Sequence, residues 1–272
     1  MIKCIKRYNL HTHSFYCGHG SGTIAEYASE AKRLNLSLLG FSEHCPRPDG
    51  RFKRSRMPFE EMLNYEADCK REKERGGLTI LTGYECDYKR EHYSYYKELL
   101  ENGRVNYLIS GTHFIFTKKG RIVSPFTDTL DEDDVLTYRD MVLEAIDSKL
   151  FSFIAHPDLF LAGFDENNPL STLVSHELCK AAKRENIPLE VNGNGFLKPM
   201  FKGRIPYPVP LFWRIAKEEG NAIIYNTDAH KIEALGKTRE ALESFISDNE
   251  LDLVYPVVNN DKLSFVKMED QK

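Results

Sequence analysis

The amino-acid sequence predicts a single α/β domain built around a parallel sheet, and two observations support this class. Short apolar runs alternate about seven times with segments of helical periodicity, which is the pattern of strands joined by crossover helices. No linker rich in Pro, Gly or Ser divides the 272 residues, and α/β barrels of this length commonly form one domain. The periodicity predicts the α/β class, whereas closure into a barrel is inferred from the polar residues that follow the strands.

Each predicted strand is a short apolar run, as expected for the buried strands of a parallel sheet. The runs span 2–10, 36–42, 78–83, 105–110, 151–155, 187–191 and 222–226. Alternating segments on either side of a Lys-Gly turn predict a hairpin within 114–123.

The predicted helices carry apolar residues at helical spacing, and two of them begin at capping boxes. Thr23 and Glu26 form the first box, and Thr129 and Glu132 form the second. The other helical segments span 58–75, 92–101, 171–185, 208–219 and 232–246. The last of these belongs to a C-terminal helix and tail over 231–272.

Composition and charge exclude several classes of protein. The formal net charge of -4 is spread along the chain, which argues against a general nucleic-acid-binding surface. No run approaches the roughly 20 apolar residues that span a membrane, and the N-terminal residues lack the apolar core of a signal peptide. We therefore expect a cytoplasmic protein with no membrane or nucleic-acid partner, whose six cysteines are reduced thiols.

Histidines gather where the predicted strands end. His11 and His13 can present their rings on one face, because residues i and i+2 of a strand point the same way. Seven of the nine histidines lie at strand ends or in the loops just after them, together with Glu85 and Asp228. These seven are His11, His13, His19, His44, His113, His156 and His230. Any one of them alone is better explained as a hydrogen-bonded core or loop residue, but their common location favours a metal site.

The donor set indicates more than one metal ion. A catalytic zinc uses about three protein ligands and keeps one open position, so this many donors exceed the needs of one ion. Mixed imidazole and carboxylate ligands suit zinc, iron or manganese. Two ions held close together favour phosphoester hydrolysis, and the sequence has no Gly-x-Ser-x-Gly motif. Cys17, Cys45 and Cys86 adjoin candidate ligands and are expected to be packing residues, with thiolate ligation as the alternative.

Seven motifs, in this order, resemble those of the polymerase and histidinol phosphatase (PHP) family, and within it the monofunctional histidinol-phosphatase branch. They are His11-Thr-His13, Cys17-Gly-His19-Gly, Ser42-Glu-His44, Gly83-Tyr-Glu85, Gly111-Thr-His113, Ala155-His-Pro-Asp158 and Thr227-Asp-Ala-His230. The resemblance implies a single PHP domain over 1–272, folded as a distorted (β/α)7 TIM-like barrel with a trinuclear metal site at its C-terminal mouth.

The resemblance also implies which residues hold three divalent ions, with zinc, manganese or iron as candidates. His11, His13, Glu85 and Asp228 would hold the first ion. Glu85 would bridge to a second ion on His113 and His156, and His19, His44 and His230 would hold a third. Metal-bound hydroxide would then attack L-histidinol phosphate, a step of histidine biosynthesis, and release L-histidinol and phosphate.

The residues implied for catalysis are Asp228, His230 and Asp158. The third of these, like Asp87 and Glu43, is a candidate either for a partner of the ligand imidazoles or for the acid that protonates the leaving alkoxide. His92 and His176 lie on predicted helices and are expected to be structural.

The implied substrate ligands are less well defined. Candidates are Arg51, Arg54, Arg56, Lys198 and Asn192, and the loop 45–57 that carries the arginines is a candidate lid. Branch members often have Glu-Ile-Asn-Thr-Ser-Gly-Leu-Arg where this chain has Glu-Val-Asn-Gly-Asn-Gly-Phe-Leu-Lys over 190–198. Lysine gives phosphate a point charge in place of a planar fork. Two other functions therefore stay open: hydrolysis of another small phosphate monoester or a phosphotyrosine protein, and a non-catalytic metal-binding module.

Overall fold

The computed structural model describes residues 4–200 and 204–268, and its central feature is a seven-stranded parallel sheet within those residues. The sheet strands are β1 (Tyr8–Asn9), β2 (Leu38–His44), β3 (Thr79–Cys86), β4 (Tyr107–Ser110), β7 (Phe153–Ile154), β8 (Leu189–Asn192) and β9 (Ile223–Asn226). Neighbours in the sheet follow the order of the chain. Between β4 and β7, strands β5 (Ile115–Phe116) and β6 (Ile122–Val123) form the predicted hairpin.

The two edges of the sheet meet, so that the sheet is a nearly closed barrel. The Leu10 amide donates to Asn226 Oδ1 at 2.6 Å, and the Thr227 amide donates to Asn9 Oδ1 at 2.7 Å. Beyond the strand ends, the His13 amide donates to the Ala229 carbonyl at 2.8 Å. The predicted (β/α)7 barrel is thereby confirmed.

Helices connect the strands and cover the outside of the barrel. They are α1 (Ile24–Arg33), α2 (Met62–Arg75), α3 (Tyr93–Glu101), α4 (Glu132–Ser148), α5 (Phe160–Gly163), α6 (Pro169–Glu185), α7 (Pro210–Glu218), α8 (Ala234–Lys237) and α9 (Arg239–Asp248). Short 3-10 turns over Phe59–Glu61 and Arg90–His92 lead into α2 and α3. In the part of the chain that the structure describes, no helix is long and apolar enough to cross a membrane.

The side chain of Tyr107 lies inside the barrel and accounts for the glycine at position 83. The Tyr107 hydroxyl donates to the Leu10 carbonyl at 2.7 Å and lies 3.1 Å from the Phe41 carbonyl oxygen, so that it contacts the first two strands. A Cβ atom on Gly83 would lie 2.7 Å from the Tyr107 ring. Only glycine leaves room for this ring beside β3.

One predicted capping box is confirmed and the other is shifted. At the start of α1, the Glu26 amide donates to Thr23 Oγ1 at 3.2 Å and the Thr23 amide donates to Glu26 Oε2 at 2.8 Å. At α4 the box is formed by Asp131 and Asp134, with distances of 2.8 and 3.2 Å, so the prediction of Thr129 and Glu132 was wrong. Aspartate is a stronger N-cap than threonine, which explains the shift by two residues.

Two other predictions for the chain ends need correction. The first strand is much shorter than 2–10, and residues 1–3 lie outside the described residues. The single helix predicted over 232–246 is divided into α8 and α9, where Gly236 and the β-branched Thr238 are poor helix formers.

The tail forms a hairpin that the sequence did not predict, from β10 (Val254–Asn259) and β11 (Lys262–Lys267). The Ile5 amide donates to the Pro256 carbonyl at 2.9 Å, and Asn106 Nδ2 donates to the Asp261 carbonyl at 3.3 Å. Both donors lie just before parallel strands begin. The hairpin therefore lies at the N-terminal end of the barrel and leaves the C-terminal end open.

Candidate metal centre

The predicted metal ligands converge at the C-terminal end of the barrel, because the carboxyl ends of parallel strands share one mouth. His11 and His13 follow β1, His44 ends β2, and Glu85 lies near the end of β3. The loops after β4, β7 and β9 contribute the other ligands, apart from His19, which lies in the loop before α1.

Glu85 lies at the centre of the cluster. It is buried, and five imidazoles each place one nitrogen within 3.5 Å of its carboxylate oxygens. They belong to His11, His13, His44, His113 and His156. The shortest distances are 2.9 Å, from His156 Nε2 to Oε1 and from His44 Nδ1 to Oε2. A carboxylate with imidazoles at both oxygens has the arrangement expected of a bridge between two ions.

Asp228 is a second carboxylate close to the first two histidines. Its Oδ1 atom lies 3.2 Å from His13 Nε2, 3.5 Å from His11 Nε2 and 3.3 Å from His230 Nδ1. Three donor atoms, one each from His11, His13 and Asp228, lie within 4.8 Å of one another. This is a suitable donor set for one ion.

The outer part of the cluster consists of imidazoles. His13 stacks between His44 and His230, with ring centroids 4.4 and 4.2 Å away. His19 is exposed at the rim, 4.8 Å from the ring of His230 and 5.2 Å from that of His44. Cys17 Sγ also lies within 4.8 Å of donor atoms of His19 and His230, so its ligation stays open, although it is buried and donates to the Ser14 carbonyl at 3.2 Å.

Several donor atoms in the cluster are buried without a hydrogen-bond partner among the residues that the structure describes. They are His11 Nε2, both ring nitrogens of His13, Glu85 Oε2 and Asp228 Oδ1. Buried polar atoms in proteins are nearly always satisfied. Lone pairs that converge in one place without hydrogen-bond donors are what a bound cation would satisfy, so the residues present fit divalent metal ions.

Two ligand residues have strained backbone conformations. His156 has a φ of 32° and Asp228 a φ of 49°, which is the left-handed region that residues other than glycine rarely adopt. Such strain persists where the surrounding structure imposes it, and it concentrates at functional sites. Both strains fall where a chain leaves a strand and turns its side chain into the mouth.

Burial keeps the rim imidazoles neutral. Desolvation and the neighbouring His13 lower the pKa of His230 to about 3. Desolvation and the neighbouring His13 also hold the pKa of His44 well below its usual value, and burial and His230 lower that of His19. A metal ligand must be the neutral imidazole, so these three side chains are in the ligating form at neutral pH.

Two deeper imidazoles, those of His11 and His113, behave differently because carboxylates surround them. Burial opposes the charging of His113, but Glu85 and Asp87 outweigh it and raise its pKa to about 10. The pKa of His11 is also raised well above its usual value, against burial, by Glu190, Asp228 and Glu85. Without metal, these rings hold protons that bound ions would replace.

Groups behind the ligands fix the orientation of their rings. His11 Nδ1 lies 2.9 Å from Glu190 Oε1, and His113 Nδ1 lies 3.3 Å from Asp87 Oδ2. Asp87 was predicted as such a partner, whereas sequence reasoning missed Glu190. The sequence feature that could have indicated Glu190 is its charge within the apolar run 187–191, because a fully buried carboxylate needs a partner.

A cavity of about 440 Å³ opens directly above the cluster. His19, His44, His113, Asp228 and His230 form its floor. Its walls are largely apolar and include Phe114, Phe126, Ala162, Met200 and Pro206. The Phe126 ring stacks on the imidazole of His113 at a centroid distance of 5.9 Å and an interplanar angle of 14°.

The predicted substrate ligands are divided by the structure. Arg56 and Lys198 line the cavity, whereas the lining residues that the structure describes include neither Arg51 nor Arg54, which are exposed. Arg56 is buried and donates to Asp87 Oδ2 at 2.6 Å and to the Cys45 carbonyl at 2.9 Å.

Asn192 is buried beneath the cavity. Its Nδ2 donates to Glu190 Oε2 at 2.9 Å and to Asp228 Oδ2 at 3.3 Å. The structure thus places Asn192 behind a metal ligand, away from the described cavity wall.

The two other acidic candidates are also buried outside the cavity. Asp158 Oδ2 accepts from the Val209 amide at 2.7 Å and from Trp213 Nε1 at 3.0 Å, and burial raises its pKa to about 6. Glu43 accepts from the amide of Ser14 at 2.6 Å, and burial raises its pKa to about 8. Each carboxylate fastens a loop that borders the cluster.

The histidines expected to be structural lie elsewhere. His176, on α6, contacts Glu219 Oε1 at 2.7 Å through its Nδ1. His92 is buried at the start of α3.

Comparison with known proteins gives one family and consistent relatives. The model of the PHP domain matches residues 9–194. A protein of Deinococcus radiodurans named "Probable histidinol-phosphatase" is 30% identical over 227 residues, which is 81% of this chain and 85% of that protein. A "Probable phosphatase" of Clostridium novyi is 25% identical over 260 residues, 93% of this chain and 90% of the relative.

Among solved structures, the histidinol phosphate phosphatase of Lactococcus lactis, complexed with zinc, L-histidinol and phosphate, superimposes with a TM-score of 0.71. The match covers 95% of this chain and 99% of that one at 14% identity. At this identity the likeness establishes the fold.

Proposed function

From the premise that this chain belongs to the PHP family and is a phosphoesterase of that family, we propose that it hydrolyses L-histidinol phosphate to L-histidinol and phosphate. The reaction would serve histidine biosynthesis. The observation that carries the proposal is the convergence of seven imidazoles and two carboxylates beneath one cavity, with several donor atoms buried and unsatisfied.

Three divalent ions, with zinc, manganese or iron as candidates, would occupy the cluster. His11, His13, Glu85 and Asp228 would hold one ion. The second ion would lie between Glu85, His113 and His156, and the third between His19, His44 and His230. Bound ions of this kind lower the pKa of water to near neutrality and neutralise charge on the attacking and leaving oxygens.

The chain's own residues would place and shield the substrate. Lys198, exposed on the cavity wall, can reach a phosphate as a point charge. Arg56 borders the same cavity while it donates to Asp87, so it would contribute positive potential and hold the loop 45–57 in place. The apolar wall around Phe126 excludes water from the side on which the leaving group would lie.

Asp228 and His230 border the cavity, and we assign them to catalysis through the ions they would hold beside the phosphate. Asp158 lies outside the cavity lining that the structure describes. Its Oδ2 atom accepts hydrogen bonds from the Val209 amide and the Trp213 indole. We therefore propose that Asp158 acts by fixing the segment 207–213 that borders the cluster.

Two observations support histidinol phosphate as the substrate. Relatives over most of the chain carry the name histidinol-phosphatase, and a flat aromatic wall at Phe114 and Phe126 suits an imidazole ring. The second candidate is an aryl phosphate, such as a phosphotyrosine. One feature of the described cavity lining favours this candidate. Asp228 supplies the only carboxylate in that lining that could contact the ammonium group of histidinol phosphate, and an aryl phosphate needs no such contact.

The test is phosphate release from L-histidinol phosphate and from p-nitrophenyl phosphate, by protein stripped with a chelator and reloaded separately with manganese, zinc or iron. We expect no turnover without metal and a higher kcat/KM for L-histidinol phosphate. A higher kcat/KM for the aryl phosphate would favour the second candidate. If the reloaded protein hydrolyses neither, and no other phosphate monoester, it is a non-catalytic metal-binding module.

A further inference from the structure

Glu190 is a buried carboxylate that the proposed reaction does not use. It lies in the middle of β8, has no exposed surface, and points towards the ligand cluster. Its Oε1 atom lies 2.9 Å from both His11 Nδ1 and Asn226 Nδ2. Its Oε2 atom lies 2.9 Å from Asn192 Nδ2 and 3.2 Å from the His156 amide.

The partners of Glu190 join the ends of four strands. His11 follows β1, His156 follows β7, and Asn226 ends β9, while Glu190 itself lies in β8. Asn192 continues the network, because its Nδ2 also donates to Asp228 Oδ2 at 3.3 Å. One carboxylate thus contacts two predicted ligand residues directly and a third through an amide.

Hydrogen-bond chemistry then determines which nitrogen of His11 is free. The amide nitrogens of Asn192, Asn226 and His156 can only donate, and a carboxylate can only accept. His11 Nδ1 must likewise carry a hydrogen to bond to Glu190. In the neutral ring the lone pair is therefore on Nε2. This atom lies 3.4 Å from Glu85 Oε2 and 3.5 Å from Asp228 Oδ1, and it has no hydrogen-bond partner within residues 4–200 and 204–268.

We infer that Glu190 is a positioning residue that fixes the tautomer and the direction of His11, so that Nε2 is presented to the metal ion shared with Glu85 and Asp228. The inference rests on the metal-dependent function proposed above. Under this inference Glu190 strengthens the binding of that ion, and other residues contact the substrate. Carboxylates that orient ligand imidazoles in this way raise ligand basicity.

The variant Glu190→Gln tests the inference. Glutamine has the same shape, but in either orientation its NH2 group would face at least two donors. The network must then break or His11 must move its hydrogen to Nε2. We expect the affinity for the tightest zinc ion, measured by competition with a chromophoric chelator, to fall about 10-fold to 100-fold. Excess zinc should restore kcat.

Glu72→Gln is the matched control. Glu72 is another buried carboxylate, but it lies on α2 and pairs with Arg75, far from the mouth. The Glu72→Gln variant should bind zinc with unchanged affinity and lose only folding stability. Unchanged affinity and stoichiometry in folded Glu190→Gln would overturn the inference, and so would a loss of kcat that excess zinc does not restore.

A second measurement needs no variant. Nitrogen-15 NMR of histidine-labelled, zinc-loaded wild-type protein reports which ring nitrogen carries hydrogen. We expect His11 to carry it on Nδ1 and to bind zinc through Nε2, and ligation through Nδ1 would overturn the inference. Both measurements report on metal binding, so they stay decisive even if the protein does not hydrolyse L-histidinol phosphate.

Discussion

The deep half and the rim of the ligand cluster differ in what stands behind their imidazoles. In the deep half, carboxylates contact the far nitrogens of two rings: Glu190 lies behind His11 and Asp87 behind His113. At the rim, peptide carbonyls lie behind two of the three rings, whereas His44 Nδ1 lies 2.9 Å from Glu85 Oε2. His19 Nδ1 lies 3.1 Å from the Cys17 carbonyl, and His230 Nδ1 lies 3.1 Å from that of Asp228.

This difference teaches how one donor set can hold its ions unequally. A carboxylate makes the imidazole a more basic ligand than a carbonyl does, and the deep half also contains Glu85 as a charged ligand. The rim offers three neutral rings, of which His19 is exposed. We therefore expect two tightly held ions beside Glu85 and one exchangeable ion at the rim.

The largest expected effect comes from removing deep ligands. His113→Ala and Asp228→Ala should each lower kcat/KM by more than about a thousandfold, because loss of a catalytic ion removes several kcal/mol of transition-state stabilisation. Phosphate release measures turnover, and circular dichroism checks folding. Near-normal turnover in both variants would contradict the proposed catalytic centre.

The pH dependence of metal binding should separate the two halves next. With its pKa raised to about 10, His113 carries a proton in the metal-free protein at neutral pH, and the ion must displace it. Because this one proton must be displaced, the affinity for the ions beside Glu85 should fall about tenfold for each pH unit below about 10. His230, with its pKa lowered to about 3, is already neutral there and releases none.

Calorimetry of metal uptake at pH 7 in two buffers of different ionisation enthalpy counts the released protons. The ions that bind first, beside Glu85, should release protons, and the rim ion that binds last should not. Equal proton release at every step would remove the distinction between the halves.

A smaller effect is expected from the rim. His19→Ala should lose one bound ion and lower kcat by about tenfold, equivalent to roughly 1.4 kcal/mol. Metal analysis by mass spectrometry should count two ions where the parent protein holds three. Loss of all ions in this variant would show that the rim supports the deep half.

The smallest effect concerns the cavity wall. Lys198 is exposed, and a screened charge of this kind contributes about 1 kcal/mol, so Lys198→Ala should raise KM about fivefold with kcat unchanged. Arg51→Ala is the matched control, since Arg51 does not line the described cavity. An equal rise in KM for both variants would locate the phosphate site nearer the loop 45–57.

Sequence reasoning could place the metal donors because a parallel barrel brings strand ends together whatever their distance along the chain. The structure gathers the nine residues that the motifs indicated. The alternation of strands and helices predicted the α/β class, and the polar residues that follow the strands indicated closure into a barrel. The cluster is thus a consequence of topology together with residue type.

The supporting contacts could not be predicted, since they depend on register. Glu190 and His11 are 179 residues apart, and nothing local marks them as partners. In the same way, the predicted arginine loop sends Arg56 towards the cavity and Arg51 away from it. The C-terminal hairpin was missed because its short strands pair with each other outside the alternation of strands and helices, at the end of the barrel opposite the site.

The most direct measurement is an anomalous-scattering map from crystals loaded with zinc and then soaked briefly in a chelator. We expect two strong peaks beside Glu85, bordered by His11, His113 and His156, and a weak or vanished third peak among His19, His44 and His230. Peaks elsewhere, or a rim peak that outlasts the deep ones, would contradict the account.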